Sequence, residues 1–219
     1  MDKVAAFDRV RAGLTLPDVS GLERWPYTLD SGGRHLIEDV IRRDRPALML
    51  EIGCFLGVSA RRWLDANPAL RLIGLDPWDD GLIDQVRRYV GRPKLAETWP
   101  ERETQQRFAD AIARQGPFES ALANLDGVRD RFLPWRGRAP EALQDIDAAG
   151  LVPDLVYIDA AKQRADLDTV RALWPAARIT GDDWDWNRRK NYPMRRIVEA
   201  FAAEHGLAIT AEGGTWVLG

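Results

Sequence analysis

The sequence predicts an α/β fold in three layers, with helices on both faces of a seven-stranded, mainly parallel sheet whose last strand is antiparallel. Apolar runs of strand length alternate with longer helical patterns from about residue 34 to the end of the 219-residue chain. That alternation is typical of parallel strands joined by crossover helices. The tail LAITAEGGTWVLG instead holds two short apolar runs around a turn at residues 212–214, which predicts an antiparallel hairpin.

The predicted elements alternate between helix and strand along most of the chain. A helix over 35–43 ends before Pro46, because proline lacks the amide donor and restricts the residue before it. The predicted strands that precede the final hairpin are 47–52, 71–75, 131–135, 155–158 and 177–180. The predicted helices that accompany them are 57–66, 140–148, 165–173 and 194–205.

Two segments depart from this alternation. Residues 79–126 are polar, lack strand character and contain helical patterns at 82–90 and 101–114. Because an ordinary connection in such a fold is shorter, we interpret this segment as a helical insertion that acts as a lid. A plain extra layer of helices is the alternative.

Residues 1–33 are predicted to form an N-terminal extension that packs over the site, so that the main domain comprises residues 34–219.

Composition excludes several classes of protein. The net charge of −3 gives no electrostatic reason to expect nucleic acid as a partner. No apolar run approaches the roughly 18 to 20 residues that cross a bilayer, and charges occupy the place of a signal peptide's apolar core. The single cysteine, Cys54, excludes an internal disulfide and a cysteine-based zinc site. A cytoplasmic protein that binds a small molecule fits these observations, and self-association stays open.

A glycine-containing loop follows the first predicted strand. The strand ALMLEIG continues into CFLGVSARRWL, which places Glu51, Gly53, Gly57 and Ser59 around a strand-to-helix turn. The two glycines allow a tight turn and a close approach to a ligand. The free N–H groups of the following helix, with the Ser59 hydroxyl, can bind a carboxylate. The spacing is not the dinucleotide pattern G-x-G-x-x-G, which makes a pyrophosphate ligand less favourable.

An acid follows the second predicted strand. Asp76 ends RLIGLDPW, where a carboxylate can accept hydrogen bonds from both hydroxyls of a ribose, and Trp78 lies two residues further on. A turn or helix cap is the alternative role for Asp76.

Residues 51–59 resemble the first motif of class I S-adenosylmethionine (SAM)-dependent methyltransferases, specifically the catechol O-methyltransferase-like branch. The resemblance extends over about residues 34–219, implies a Rossmann-like sandwich, and identifies Asp76 as the acid that binds ribose. It departs after the third strand, where this branch often has a small polar pair near the adenine and this chain has Arg138-Ala-Pro. The cofactor-binding residues expected on this basis are Glu51, Gly53, Cys54, Gly57, Ser59, Asp76, Trp78, Arg138 and Asp159. A small buried core residue is the alternative for Cys54.

Three acids and a lysine follow the next two strands. Asp159 and Lys162 come after one strand, and Asp182 and Asp183 after the next. Because neighbouring parallel strands lie about 4.8 Å apart, these side chains can share one cavity. Three close carboxylates repel one another, and a divalent cation, most simply Mg²⁺, would relieve that repulsion. We therefore expect Asp159, Asp182 and Asp183 to bind a metal. Helix capping and a related metal-free enzyme that uses the acids for substrate binding are the alternatives.

The same cluster supplies a mechanism for methyl transfer. A neutral hydroxyl is a poor nucleophile, so a metal that holds it and Lys162 as general base would generate the oxyanion, with Asp159 assisting. Metal-dependent O-methyltransferases of the resembled branch carry Asp-x-x-Lys and then Asp-Asn or Asp-Asp at these places, and an Asp pair resembles bacterial sugar O-methyltransferases. Trp184 and Trp186 flank the acids and can stack on a substrate ring.

The expected reaction is therefore transfer of a methyl group from SAM to a hydroxyl of a small molecule, such as a sugar, a catechol or another vicinal diol. A metal-independent methyltransferase that acts on nitrogen, carbon or a carboxylate is one alternative. A SAM-binding partner protein without catalytic activity is the other.

Overall fold

The computed structural model describes residues 2–219 and contains one seven-stranded sheet. Its strands are β1 (Leu48–Ile52), β2 (Arg71–Asp76), β3 (Phe132–Arg136), β4 (Leu155–Ile158), β5 (Arg178–Gly181), β6 (Ile209–Glu212) and β7 (Thr215–Leu218). They lie in the order β3-β2-β1-β4-β5-β7-β6. The strands β1 to β5 are parallel, whereas β7 is antiparallel to both β5 and β6. The predicted sheet, including its antiparallel last strand, is confirmed.

The order of the strands determines where a ligand can bind. The chain runs outward from β1 through β2 to β3, and then returns to place β4 on the other side of β1. In an open parallel sheet, the crevice at such a reversal lies beyond the carboxyl ends of the strands. The segments that follow β1, β2, β4 and β5 therefore meet at one edge.

Ten α-helices accompany the sheet in the described residues 2–219. They are α1 (Lys3–Ala12), α2 (His35–Asp44), α3 (Val58–Ala66), α4 (Asp80–Tyr89), α5 (Pro93–Thr98), α6 (Arg102–Gln115), α7 (Pro117–Asn124), α8 (Glu141–Ala148), α9 (Arg164–Leu173) and α10 (Pro193–His205). The predicted boundaries of the strands and helices lie within one residue of these, except that the helix predicted at 82–90 begins two residues earlier, at Asp80. None of the helices in residues 2–219 combines the length and the apolar character needed to cross a bilayer.

Two apolar cores separate the three layers. One core joins the sheet to α1, α8, α9 and α10, and the other joins it to α2, α3 and the helices between β2 and β3. Along β1, Leu48 and Leu50 face the first core and Met49 faces the second, because successive strand side chains point to opposite faces. The same alternation turns Glu51 toward α3.

The segment 79–126 forms four helices, α4 to α7, rather than the two that its pattern predicts. An aromatic cluster ties α6 to the chain before α2. Trp25, Tyr27, Trp99 and Phe108 pack with ring centroids 4.9–5.9 Å apart. The segment is thus built into the second core, and its role as a lid stays a prediction.

The N-terminal extension divides into two parts. The helix α1 packs through Ala6 and Phe7 in the first core, and Arg11 donates to the Phe132 carbonyl at the start of β3. Within residues 2–33, Thr28–Ser31 line the cavity described next. That the extension packs over the site stays a prediction.

Candidate active site

A cavity of about 1020 Å³ opens at the carboxyl edge of the sheet. Its walls come from the segments that follow β1, β2, β3, β4 and β5, together with the chain before α2 and the inner side of α4. Of the predicted site residues, those that line it are Gly53, Ser59, Asp76, Arg138, Asp159, Lys162, Asp182, Asp183 and Trp186. The predicted residues Glu51, Cys54, Gly57, Trp78 and Trp184 lie outside its lining.

The loop after β1 depends on glycine for its close approach to β4. Gly53 has φ 92°, and a Cβ there would lie 2.1 Å from the carbonyl oxygen of Asp159. Gly57, with φ 74°, begins α3, and Ser59 in the first turn lines the cavity. The unpaired N–H groups at the start of α3 consequently face the same space as Ser59.

Glu51 lies beneath this loop instead of in the cavity. Its carboxylate is fully buried and accepts hydrogen bonds from the Trp63 indole and the Cys54 thiol, each at 3.2 Å. Burial raises the pKa of Glu51 and raises the pKa of the Cys54 thiol well above its usual value. These contacts give both side chains a structural role in holding the loop on α3.

Asp76 presents its carboxylate at the end of β2. Its two oxygens accept hydrogen bonds from the backbone amides of Phe55 and Trp78, each at 2.9 Å, and burial raises its pKa. The Trp78 side chain turns away, donates to the Phe55 carbonyl at 2.7 Å and packs on Phe118. Asp76 thus joins the loops after β1 and β2 and faces the cavity.

A buried acid that sequence reasoning missed lies at the far end of the cavity. Asp166, in the first turn of α9, is fully buried, and burial raises its pKa. The Gln163 amide donates to Asp166 Oδ1 at 2.8 Å and to the Ala139 carbonyl at 3.2 Å, whereas Asp166 Oδ2 has no partner. The predicted residue Arg138 is exposed nearby and pairs with Asp79. An acid near the start of a helix ordinarily indicates a helix cap, so the sequence contains no sign that Asp166 belongs to the site.

The three predicted carboxylates meet where β4 and β5 end, as their strand positions indicated. Asp182 is buried, and all its contacts are with protein donors. Its Oδ1 accepts from the Asp183 amide at 2.8 Å, and its Oδ2 accepts from the Tyr157 hydroxyl and Arg34, each at 3.1 Å. Burial, followed by the charges of Asp182 and Asp183, raises the pKa of Asp159 to about 8.

Arg34, which the sequence analysis did not select, supplies the cation of this cluster. Its side chain is only 2% exposed, and its Nη2 lies 3.1 Å from Asp182 and 3.5 Å from Asp159. The guanidinium also donates to the Thr28 hydroxyl at 2.9 Å and to the Leu29 carbonyl at 2.8 Å. Burial lowers the pKa of Arg34, and the neighbouring acids and Tyr157 raise it by more, so the side chain stays charged.

Lys162 forms the second cationic contact. Its amine pairs with Asp183, donates to the Ala160 carbonyl at 3.0 Å and lies 5.2 Å from the ring centroid of Trp186. Burial raises the pKa of Asp183, although Lys162 acts in the opposite direction. Trp186 is exposed and lines the cavity. The ring centroid of Trp184 instead lies 5.0 Å from the guanidinium carbon of Arg195.

A divalent cation does not fit this arrangement. Within residues 2–219, no group of three or more His, Cys, Asp or Glu side chains is disposed to hold a metal ion. Arg34 already contacts Asp159 and Asp182, Lys162 pairs with Asp183, and both oxygens of Asp182 accept hydrogen bonds. The geometry therefore does not support the expected metal ligation by Asp159, Asp182 and Asp183.

Comparisons with known proteins agree with this architecture. The chain is similar to the O-methyltransferase from Bacillus cereus solved with SAH, at 19% identity and TM-score 0.54, over 100% of this chain and 90% of that one. It is also similar to the O-methyltransferase TomG from Streptomyces achromogenes, involved in tomaymycin synthesis and solved with SAM, at 18% identity and TM-score 0.55, over 100% and 88%. At these identities the likeness shows the fold.

A family model identifies the chain more specifically. No match was found among curated proteins. The model described as a methyltransferase domain matches residues 50–181, which span the sheet from β1 to β5 and most of the cavity. This match confirms the predicted kind of enzyme. The chain belongs to the methyltransferase domain family.

Proposed function

We propose that this protein transfers the methyl group of SAM to a hydroxyl oxygen of a small molecule. One observation carries the proposal: the residues expected to bind the cofactor and the Lys162–Asp183 pair line the same cavity. Ser59 and Asp76 lie on one side of it, and the lysine pair lies on the other. Two substrates can therefore meet there, as direct transfer of a methyl group requires.

The cavity offers a distinct environment for each part of SAM. The start of α3 and Ser59 suit the carboxylate of the methionine portion, because unpaired helical N–H groups attract anions. Asp76 suits the ribose hydroxyls as donors to its carboxylate. The adenine then extends past Gly137 toward Asp166, whose free Oδ2 suits the 6-amino group of the base. In this assignment Asp166 Oδ2, which has no hydrogen-bond partner in the protein, accepts a hydrogen bond from SAM.

The acceptor hydroxyl must lose its proton during the transfer. Lys162 is the base in this proposal, and its amine must be neutral to accept that proton. Asp183 pairs with this amine and holds it at the wall of the cavity. The hydroxyl oxygen then forms the new C–O bond as the methyl–sulfur bond breaks, the proton moves to Lys162, and SAH leaves as a neutral thioether.

Trp186 supports an acceptor with a flat face. Its ring is 44% exposed at the mouth of the cavity, beside the Lys162 amine. A sugar or a phenol ring could stack there while its hydroxyl reaches the lysine. A SAM-binding protein without catalytic activity would need neither the amine nor this exposed ring.

Isothermal titration with SAM, followed by a methyl-transfer assay against sugars and phenols, tests the proposal. We expect SAM to bind and Asp76→Ala to weaken binding at least about ten-fold, since the ribose loses its acceptor. Asp65→Ala is the matched control, because Asp65 lies on the outer side of α3 and pairs with Arg61. Absence of SAM binding by the unchanged protein would overturn the proposal.

A further inference from the structure

Three carboxylates approach one another at the carboxyl ends of β4 and β5, and their charges require compensation. In metal-assisted sites a bound cation supplies it. In this protein Asp159 and Asp182 lie within 3.5 Å and 3.1 Å of a single Arg34 nitrogen, and Asp183 pairs with Lys162. Each carboxylate therefore already contacts a cation of the protein itself.

Arg34 is held too firmly to be a chance neighbour. Its side chain is 2% exposed, and Thr28 and Leu29 accept hydrogen bonds from its two terminal nitrogens. The backbone before it is equally constrained. Gly33 has φ 84°, and a Cβ there would lie 1.8 Å from the Glu212 carbonyl oxygen, so the chain enters α2 against the β6–β7 hairpin. The guanidinium is thus a fixed charge.

The acid most enclosed by the protein already has protein donors at both oxygens. Asp182 Oδ1 accepts from a backbone amide, and Asp182 Oδ2 accepts from the Tyr157 hydroxyl and from Arg34. A metal ion bound at Oδ2 would have to displace the buried guanidinium of Arg34 from its partner, and an unpaired buried charge is strongly unfavourable.

From these contacts we propose that Arg34 takes the place of a divalent cation beside Asp159 and Asp182, so that methyl transfer by this protein needs no metal. Arg34 is a positioning residue that holds Asp159 and Asp182 in place, and Lys162 acts on the acceptor. The inference rests on the proposed function for its reaction, but its claim about metal binding can be tested separately.

The proposal also widens the range of acceptors that the protein can use. A metal with open positions favours two adjacent oxygens, because both can coordinate it. A single lysine amine needs only one hydroxyl. Molecules with one isolated hydroxyl should therefore serve as well as vicinal diols, provided that they fit beside Trp186.

Titration with Mn²⁺, followed by the electron paramagnetic resonance of the free ion, tests the metal claim directly. We expect the unchanged protein, with SAM and without it, to leave the free-ion signal unchanged. Arg34→Gln should gain Mn²⁺ affinity by at least about ten-fold, because the carboxylates lose their cation. Arg42→Gln, on the helix α2 that follows Arg34, is exposed and paired with Glu38, and it should behave like the unchanged protein.

The outcomes separate the two proposals. Mn²⁺ binding by the unchanged protein, or no gain in Arg34→Gln, would overturn the inference about Arg34. If Arg34→Gln does not fold, the titration of the unchanged protein still decides the question. SAM binding measured in EDTA tests the proposed function independently. Its absence in both EDTA and Mg²⁺ would overturn the function but leave the metal result standing.

Discussion

The guanidinium of Arg34 and the carboxylate of Asp182 lie 3.1 Å apart inside the protein, although 148 positions separate them in the chain. This contact joins the start of α2 to the end of β5 and closes one wall of the cavity. Because both side chains are almost inaccessible to water, removing the Arg34 charge would leave the Asp182 carboxylate buried without its cation.

We expect Arg34→Met to lower the free energy of unfolding by about 3–5 kcal/mol, the usual result of removing one partner of a buried ion pair. Urea denaturation at neutral pH measures it. Arg42→Met, on the helix α2 that follows Arg34, should change the free energy of unfolding by less than about 1 kcal/mol, since exposed pairs contribute little. Equal stability of the two variants would contradict the importance of the buried contact.

Lys162→Met should lower kcat by at least about 100-fold, because the acceptor hydroxyl loses its base. The dissociation constant for SAM should stay within a factor of about two, since Lys162 lies on the acceptor side of the cavity. Single-turnover kinetics and isothermal titration separate the two effects. Lys190→Met, on an exposed turn, should preserve both quantities. A loss of SAM binding in Lys162→Met would assign the lysine to the cofactor instead.

Asp166→Asn should invert the preference for the purine base. The asparagine oxygen would keep the hydrogen bond from Gln163, which turns its NH₂ group toward the cavity. A donor at that position suits a 6-oxo purine better than a 6-amino purine. Titration with SAH and with S-inosylhomocysteine should show at least about a ten-fold change in their ratio of affinities.

The control for that change is Asp168→Asn, on the exposed side of the same helix, where Asp168 pairs with Arg164. It should leave the ratio unchanged. An Asp166→Asn protein that keeps the original preference would remove Asp166 from the adenine site.

Asp159→Asn should stabilise the ligand-free protein at alkaline pH. The folded protein raises the pKa of Asp159 from 3.8 to about 8, so the folded state retains a proton that the unfolded chain releases. The contribution of Asp159 to the free energy of unfolding is fully present below pH 4 and is lost as the pH rises through 8. Asparagine cannot ionise and escapes this loss.

Melting temperatures of Asp159→Asn and the unchanged protein, compared from pH 4 to pH 9, measure the effect. The two should be similar at the acid end, and the variant should melt increasingly higher as the pH rises. Asp39→Asn, at an exposed position on α2, should show no such trend. A constant difference at all pH values would show that Asp159 is ionised throughout.

Much of the fold could be predicted because its causes are local. Strands such as Leu155–Ile158 are short apolar runs buried on both faces, and proline and glycine mark their ends. The helices α1 and α5 escaped prediction because they bury few side chains, only Ala6 and Phe7 in α1 and Leu95 in α5. The helix α7 also escaped prediction, although it buries six of its eight residues. Their helical form depends on the surfaces against which they pack.

The grouping of Asp159, Lys162, Asp182 and Asp183 was determined by the sequence itself. These residues directly follow two strands that pair in parallel, and such pairing brings consecutive strand ends to one edge. The same reasoning placed Gly53 and Asp76 beside the cavity. Only the tertiary structure decided which cation the acids meet, since Arg34 reaches them from a distant segment through packing. It also decided that Glu51 and Trp78 turn inward, because neighbouring layers determine the direction of a side chain at a strand end.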